Sequence, residues 1–296
     1  MNTIIQKLKE VDIKRIFKVL YFVLVGVTLI GFWIALGFLY SESVSPDEFL
    51  PYSVSSNQES TKENCNVAGI KLHGQLVTYA FSDVPNGADS EDYIDVVSSE
   101  GVVSGIEAAD ADPSIYAIFL EVDSPGGSGV AGEEVANALR HASKPTVAMI
   151  RDNGTSAAYM AATGAKMIFA SKFSDVGSIG VTSSFTDESM KNQKDGITYN
   201  QLSSGKFKDM GDPDKLLTTE EKDLILRDLK IKHENFVALV AENRKLNIEK
   251  VRILADGSSV PAEMGLQNGL IDKIGGINEV REHLRTIIER EPKFCW

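Results

Sequence analysis

The sequence predicts an α/β protein with a largely parallel sheet, because short β-rich apolar runs alternate with helical stretches. Three such runs occupy residues 115–122, 146–150 and 167–170. A helical stretch over about 130–141 separates the first two runs, and another helix is expected to begin near Ser156. A strand, a helix and a second strand at this spacing are typical of a βαβ unit, in which the two strands are parallel.

The other predicted elements extend this α/β pattern toward both ends of the chain. Thr218 and Glu221 form a capping-box pattern, which predicts a long helix from there to about Asn243. No internal repeat is visible. The remaining expectations are an opening strand over 67–77, a helix over 93–109, a turn into a strand at 177–181, and a final strand and helix within 270–288.

Composition and charge exclude two classes of protein. The chain has 296 residues, of which 43% are hydrophobic and 24% charged, and this is a globular composition and not a disordered one. Its formal net charge is −12. A nucleic-acid surface needs clustered Lys and Arg that dominate their region, so we expect no DNA or RNA partner.

The N-terminal region contains a candidate membrane span. Residues 19–40 include no charged side chain. As a helix, this run is about 33 Å long, enough to cross a hydrocarbon core of ~30 Å. Apolar side chains lie all around the predicted helix, which favours a lipid environment over a buried position in a protein core. We therefore expect a transmembrane anchor.

A cleaved signal peptide is the main alternative to this anchor, because the head is basic and residues 35–37 form a small-x-small triplet. The apolar run is longer than the ~7–15 residues of a signal-peptide core, however, and the triplet lies inside it. Basic residues precede the run, whereas no Lys or Arg follows it before Lys62. The positive-inside rule then places the N-terminus in the cytoplasm and the rest of the chain outside the cytoplasmic membrane.

These features predict five segments. They are a cytoplasmic basic tail (1–15), a single-pass transmembrane anchor (16–40), a polar linker (41–64), a folded domain (65–290) and a C-terminal tail (291–296). Cys65 and Cys295 stand at the two ends of the folded part, without the paired spacing of metal sites. They could form a disulfide bond in an exported domain, but sequence spacing does not decide this.

The glycine-rich turn after the first apolar strand is a candidate anion site. Residues 124–127 read Ser-Pro-Gly-Gly, and a glycine pair lets backbone N–H groups approach an oxyanion. A plain tight turn is the ordinary explanation. Residues 127–132 also match a dinucleotide-binding fingerprint, with Asp152 at the spacing of its acidic residue. The Pro-Gly-Gly in front lengthens the turn, which disfavours that alternative.

Ser156 is a candidate nucleophile. It follows the expected turn at 152–154 and opens a helix of small residues, so it would lie at a strand-to-helix corner. The helix N-terminus and the Ala157 N–H could stabilise an oxyanion there. The alternative is that Ser156 only caps the helix, as serine frequently does.

A nucleophilic serine needs a base, and the four histidines have no supporting context. His141 and His283 lie in or at the end of expected surface helices, and neither His73 nor His233 is in a suitable loop. A lysine can serve if burial lowers its pKa from about 10.4 toward neutrality. Lys206 and Lys208, in residues 203–208, are candidates, although a solvated basic loop is the ordinary explanation.

Together, four motifs in order resemble those of the signal peptide peptidase A family. They are Asp123-Ser124-Pro125-Gly126-Gly127, Thr155-Ser156-Ala157-Ala158-Tyr159, Gly177-Ser178-Ile179-Gly180-Val181 and Ser204-Gly205-Lys206-Phe207-Lys208. The resemblance covers roughly residues 67–285. It implies a ClpP/crotonase-like fold, in which a twisted parallel β-superhelix is flanked by helices.

The resemblance also implies the chemistry. Ser156 would be the nucleophile and Lys208 the general base of a serine endopeptidase, with Gly127 and the Ala157 amide as the oxyanion hole. Lys206 remains a fallback, because both lysines would face one side of an extended strand. Neither a metal nor an organic cofactor is required. The expected substrates are remnant signal peptides or other membrane-proximal peptides. The expected partners also include membrane lipid.

Two further expectations follow from the resemblance. Having one copy of the motifs, the chain is similar to the short bacterial members, which implies a homo-oligomeric ring in which serine and lysine meet across a subunit boundary.

The sequence departs from the family pattern after the nucleophile, where Ala157, Ala158, Tyr159 and Met160 replace two glycines and two tyrosines. A membrane-tethered scaffold of the same fold without proteolysis is the alternative from another class.

Overall fold

A computed structural model describes Tyr21, Thr28 and residues 65–80 and 95–296. The chain divides into two units, residues 1–61 and 62–296. Apart from Tyr21 and Thr28, which are helical, the predicted tail, anchor and linker lie outside the described residues. No helix among the described residues is long and apolar enough to cross a membrane.

The described part of the second unit alternates strands and helices. The strands are β1 Val67–His73, β2 Gln75–Val77, β3 Val96–Ser98, β4 Ala117–Ser124, β5 Thr146–Thr155, β6 Met167–Ala170, β7 Asp175–Gly177, β8 Ser259–Pro261, β9 Lys273–Ile274 and β10 Phe294–Cys295. The helices are α1 Ser99–Ala111, α2 Gly129–His141, α3 Ser156–Ala162, α4 Ser189–Lys194, α5 Thr219–Arg244, α6 Ile248–Leu254, α7 Ala262–Asn268 and α8 Ile277–Ile288.

The main sheet is parallel along its central path, in the order β10-β1-β4-β5-β6-β9. Strand β7 also pairs with β5 in parallel, and β8 joins β7 in the antiparallel direction. A separate parallel pair is formed by β2 and β3. The predicted α/β class with a mostly parallel sheet and flanking helices is therefore confirmed.

Alternation along the strands builds a core on each face of the sheet. One core includes Leu72, Val122 and Ile150 together with residues of α1, α2 and α3. The other contains Phe119, Val147, Met149, Phe169 and three residues of α8, namely Val280, Leu284 and Ile288. Burial on both faces explains why β4 and β5 read as nearly continuous apolar runs.

The capping box that predicted the long helix is confirmed. The Thr218 hydroxyl accepts a hydrogen bond from the Glu221 N–H, and the Glu221 carboxylate accepts one from the Thr218 N–H. The observed helix, α5, ends one residue beyond the predicted Asn243. Here local chemistry alone fixes the start of an element.

Several predicted element boundaries were wrong. The helix expected over 93–109 begins at Ser99, because residues 96–98 form strand β3. Residues 152–154 do not form a turn, because β5 continues to Thr155 and its last three residues pair with β7. In the third motif the strand, β7, ends at Gly177, and residues 178–181, where the sequence predicted a strand, do not form one. The error at residues 152–154 has a tertiary cause, which is the pairing of the last three residues of β5 with β7.

Cys65 and Cys295 form a disulfide bond, with their Cα atoms 5.6 Å apart. Val67 and Ala68 of β1 pair with Phe294 and Cys295 of β10, which brings the two ends of the domain together. The segment 291–296, predicted as a tail, thus supplies the outermost strand on one side of the sheet's main path.

Candidate active site

Ser156 lies at the corner where β5 ends and α3 begins, as the sequence predicted. Its φ of 53° is in the left-handed region, which is uncommon for any residue other than glycine. Strained residues of this kind cluster at functional sites, where the surrounding structure holds them. The side chain is half-buried at the N-terminus of α3. A sharp strand-to-helix corner of this type presents a serine hydroxyl, as in nucleophile elbows.

The loop containing Gly126 and Gly127 contacts this corner directly. A methyl group added to Gly126 would lie 2.7 Å from the Ser156 Cβ and 3.0 Å from the Ala157 nitrogen. One added to Gly127 would lie 2.1 Å from the Leu76 carbonyl oxygen. Since both glycines also have positive φ, of 105° and 148°, no other residue fits without strain.

Leu76 fixes the orientation of the Gly127 amide. The Leu76 N–H donates to the Gly126 carbonyl, and the Ser128 N–H donates to the Leu76 carbonyl. In a parallel bridge these bonds leave the intervening N–H, that of Gly127, facing away from the partner strand. Sequence reasoning missed Leu76, because nothing distinguishes it from an ordinary strand residue.

The Ala157 amide is a second available donor. It belongs to the first turn of α3, whose N–H groups have no partner within the helix. Thr155, the N-cap residue, makes no side-chain hydrogen bond to that turn. Neither the Gly127 N–H nor the Ala157 N–H has a described backbone acceptor, and Gly126, which precedes Gly127, contacts the Ser156 corner.

The dinucleotide fingerprint has a packing explanation at its last glycine. A methyl group on Gly132 would lie 2.5 Å from the Ala157 carbonyl oxygen, so Gly132 allows α2 to approach α3 closely. Asp152, the expected acidic partner of that fingerprint, is exposed in β5. Gly132 thus has a packing role next to the corner that carries Ser156.

A cavity of about 570 Å³ adjoins the corner. Gly127 of the first motif and Val181 of the third line it, together with Met160, which follows the second motif. Helix α2 and helix α5 supply the other walls. Phe236 of α5 is buried and also lines the cavity. Spacing in sequence gave no signal that α5 would reach α3.

Lys208 does not share this cavity. It is exposed, and residues 204–211 form bends and turns, in which the two lysines do not share one side of an extended strand. The Lys208 N–H donates to the Gly205 carbonyl within these turns. Lys206 is also exposed and pairs with Glu220 of α5. The structure of the single chain thus brings Ser156, Ala157 and Gly127 together and leaves both lysines at the surface.

The turn that carries Lys208 is held by its neighbour Asp209. The Asp209 carboxylate accepts hydrogen bonds from the hydroxyls of Ser203 and Tyr199, and the Ser203 bond is the main cause that lowers its pKa. Burial, together with the Asp209 carboxylate, raises the pKa of Tyr199 to about 12. The lysine-bearing segment is therefore anchored through its own side chains.

None of the four histidines hydrogen-bonds Ser156 among the described contacts. His73 Nε2 lies 3.0 Å from Glu121 Oε1 without an aligned hydrogen bond, and His141 and His233 contact backbone carbonyls. Burial lowers the pKa of His283, which packs against Phe169. Among the described residues, no group of three His, Cys, Asp or Glu side chains could hold a metal ion.

Several proteins with similar sequences are named as proteases or putative proteases. The chain is 32% identical over 184 residues to a putative protease of Methanocaldococcus jannaschii, covering 62% of this chain and 59% of that protein. It is 30% identical over 177 residues to a putative signal peptide peptidase SppA of Enterococcus faecium, covering 59% and 52%. It is also 30% identical over 199 residues to Protease 4 of Salmonella typhi, covering 66% of this chain and 32% of that protein. The aligned region thus spans little more than half of the first two relatives.

A model of the family described as Peptidase family S49 matches residues 138–289, just over half of the chain. The matched range contains both Ser156 and Lys208. The predicted relationship to signal peptide peptidase A proteins is confirmed, and the chain belongs to peptidase family S49.

Proposed function

We propose that this chain is a membrane-anchored serine endopeptidase in which Ser156 is the nucleophile and Lys208 the general base. The observation that carries the proposal is the strained Ser156 at the β5–α3 corner, in contact with the Gly126–Gly127 loop. Membership of a peptidase family, and relatives named as proteases, support the reaction class.

The two backbone donors suit an oxyanion hole. In acyl transfer, negative charge develops on the carbonyl oxygen of the scissile bond, and preorganised N–H groups stabilise it. Gly127 N–H is aimed by its bridge to Leu76, and Ala157 N–H by the first turn of α3. Loss of one such donor typically lowers kcat by ~10²–10³-fold.

The lysine is proposed to act on the serine of a neighbouring copy. Lys208 is exposed in the single chain, whereas a lysine base must be neutral, and burial favours the neutral amine. The segment around it also exposes large apolar side chains, such as Phe185, Leu202 and Leu216. Exposed apolar residues in one region are typical of an interaction surface. Assembly would cover this segment and bury Lys208 together.

The proposed reaction has two steps, formation of an acyl-enzyme and its hydrolysis. Neutral Lys208 Nζ takes the proton of Ser156 Oγ as the oxygen attacks the peptide carbonyl carbon. The C–N bond breaks, the leaving amine takes the proton back from Lys208, and an acyl-enzyme remains. Water, deprotonated by Lys208, attacks the ester and releases the acid and the free Ser156 hydroxyl.

The location and substrates are proposed from the N-terminal sequence and the disulfide. An uncharged run over 19–40 would anchor the chain in the cytoplasmic membrane, with the catalytic domain outside. A disulfide between Cys65 and Cys295 suits an oxidising, extracytoplasmic compartment. Remnant signal peptides and other membrane-proximal peptides would be within reach. One relative is named a putative signal peptide peptidase.

The test uses the full-length protein in detergent and a fluorogenic apolar peptide. Ser156→Ala is expected to abolish cleavage, and Lys208→Ala to lower kcat by about 10²–10⁴-fold. Mixing the two variants under conditions that allow subunit exchange should restore part of the activity, since some boundaries would then hold an intact Ser156 and an intact Lys208.

Three results would contradict the proposal. Cleavage that survives Ser156→Ala would remove the nucleophile, and no cleavage by the wild type would favour the non-proteolytic scaffold. Full activity in a monomer isolated by size exclusion would overturn the shared site.

A further inference from the structure

We propose that Ser174 is a positioning residue for the nucleophile, because its side chain holds the bulge in β5 that brings Ser156 level with Gly126. The inference rests on the proposed peptidase function and goes beyond it, since it gives a role in the reaction to a residue outside the four motifs. Ser174 lies in the connection between β6 and β7 and is fully buried.

The bulge lies where β5 passes the end of β4. Val122 pairs with Ile150, whereas Ser124, only two residues later, pairs with Gly154. Residues 151–153 of β5 thus stand opposite a single residue of β4, so β5 carries two extra residues at this point. Bulges are over-represented beside active sites, where they change the direction of a side chain.

The two extra residues decide which part of the glycine loop faces the nucleophile. If the register before the bulge continued, Gly154 would pair with Gly126, and Ser156 would come level with Ser128. The bulge moves the partner of Gly154 back to Ser124. Ser156 then comes level with Gly126, where an added methyl group would lie 2.7 Å from the Ser156 Cβ. A shift of two residues is about 6.6 Å along a strand, so the contact between the glycine loop and Ser156 depends on the bulge.

The bulge takes backbone groups out of the ladder, and Ser174 bonds them. Arg151 and Asp152 pair with no residue of the described strands β4, β6 and β7. Backbone N–H and C=O groups that leave a ladder take other partners, such as side chains. The Ser174 hydroxyl donates to the Arg151 carbonyl at 2.8 Å and lies 3.1 Å from the Ile150 carbonyl oxygen.

Ser174 can hold the bulge because its own backbone is fixed. Its N–H donates to the Ser171 carbonyl, and its carbonyl accepts the N–H of Ala262, the first residue of α7. The next residue, Asp175, begins β7, which pairs with the last three residues of β5. Ser174 therefore connects the bulge to the strand that pairs with β5 just before Ser156.

Asp123 supports the bulge from the other side. The Asn153 N–H donates to Asp123 Oδ1 at 3.3 Å, and Asp123 itself pairs with His73 of β1. Two side chains, one from β4 and one from the β6–β7 connection, thus bond the bulge. Asp123 is only partly buried and its bond is longer, so the larger effect is expected for Ser174.

The experiment compares Ser174→Ala and Ser174→Thr with the wild type, using the full-length protein in detergent and one fluorogenic apolar peptide. In Ser174→Ala, kcat should fall about 10²-fold, since a displacement of ~1 Å at the reacting groups can cost that much. KM should stay within about threefold of the wild-type value, because an interaction needed only in the transition state is affected. Labelling of Ser156 by a fluorophosphonate should slow as well. Ser174→Thr keeps the hydroxyl and should retain most of the wild-type kcat.

Thr146→Val is the matched control. Thr146 is also buried, 1% exposed, and its hydroxyl accepts a hydrogen bond from the Lys166 N–H, but it lies at the opposite end of β5. Loss of this bond should lower the urea midpoint without changing kcat.

A second pair of variants tests the bulge if Ser174→Ala fails to fold. Asp123→Ala and Asp123→Asn both remove the charge, but only asparagine keeps an oxygen that can accept the Asn153 N–H. Asp123→Ala should therefore lower kcat, and Asp123→Asn should stay closer to the wild type. Equal kcat in these two variants would contradict the role of the bulge.

The outcomes separate this inference from the proposed function. If the wild type cleaves the peptide and folded Ser174→Ala keeps the wild-type kcat and labelling rate, Ser174 does not position Ser156. An equal loss of kcat in Ser174→Ala and Ser174→Thr would also overturn the inference, because the hydroxyl would then not be the group that acts. If the wild type cleaves nothing and a fluorophosphonate fails to label Ser156, the proposed function falls, and this inference falls with it.

Discussion

Gly126 lies so close to Ser156 that a methyl group on Gly126 would come within 2.7 Å of the Ser156 Cβ. Real Cβ atoms do not approach so closely, and the φ of Gly126, 105°, disfavours any other residue as well. Gly126→Ala should therefore displace the serine corner. We expect kcat/KM to fall by about 10²-fold or more, because a displacement of ~1 Å can cost that much.

Gly105→Ala is the control for this change. Gly105 lies within α1, and its added methyl group would meet only Ile70 side-chain atoms, at 3.5 Å. It should leave kcat/KM unchanged and stabilise the domain by roughly 0.5–1 kcal/mol, because alanine is the better helix former. Wild-type kcat/KM in Gly126→Ala would contradict the proposed contact between the glycine loop and the nucleophile.

The second prediction concerns the two lysines of the fourth motif, Lys206 and Lys208. Lys208→Ala should lower kcat by about 10²–10⁴-fold, as expected for loss of a general base. Lys208→Arg should be equally inactive, because an arginine is not deprotonated in proteins. Lys206→Ala should stay close to wild type, since Lys206 is exposed and pairs with Glu220.

Steady-state kinetics of these three variants on one peptide decides between the lysines. Loss of activity in Lys206→Ala, with activity retained in Lys208→Ala, would transfer the role of base to Lys206. Size exclusion of each variant is needed as well, because a variant that no longer assembles would lose activity for another reason.

The sequence predicted the strand-to-helix corner at Ser156 because its signals are local. An apolar strand, a glycine and a run of small helix formers specify both elements from their own residues. The bridge between Leu76 and Gly127 was not predictable, since it pairs residues from distant parts of the chain. The extension of β5 to Thr155 was not predictable for the same reason, because it depends on pairing with β7, some twenty residues later in the chain.

The surroundings of the two lysines show the same limit. Their motif was recognised, but the turns that carry them were not predicted, because they are held by side-chain bonds of Asp209 to Tyr199 and Ser203. The disulfide was left open for a similar reason. Whether Cys65 and Cys295 meet depends on the pairing of β1 with β10, which no local pattern encodes.

The disulfide gives a third prediction. It joins residues 230 positions apart, and cross-links that close long loops restrict the unfolded chain most. Replacing both Cys65 and Cys295 by Ser should lower the free energy of unfolding by about 2–4 kcal/mol. Urea unfolding of wild type with and without reductant, beside the double variant, measures this. Identical midpoints in all three samples would show that the bond does not stabilise the domain.

Glu221 gives a fourth prediction, on pH. Its buried carboxylate accepts hydrogen bonds from Lys215 Nζ and from the N–H and hydroxyl of Thr218, and these bonds lower its pKa from 4.5 to about 2. A carboxyl group with a lowered pKa in the folded state contributes stability above its unfolded pKa. That contribution is lost as the pH falls from about 4.5 to about 2.

The urea midpoint of Glu221→Gln should therefore lie below that of wild type at pH 7, and the gap should close as the pH approaches 2. The neighbouring Glu220→Gln is the control, because Glu220 is exposed and its pair with Lys206 is a surface one, worth ~0–1 kcal/mol. Its gap to wild type should be small at every pH. A Glu221→Gln gap that does not change between pH 7 and pH 2 would mean that the ionised carboxylate does not stabilise the start of α5, and the long helix would then depend on its packing against α3 and α6.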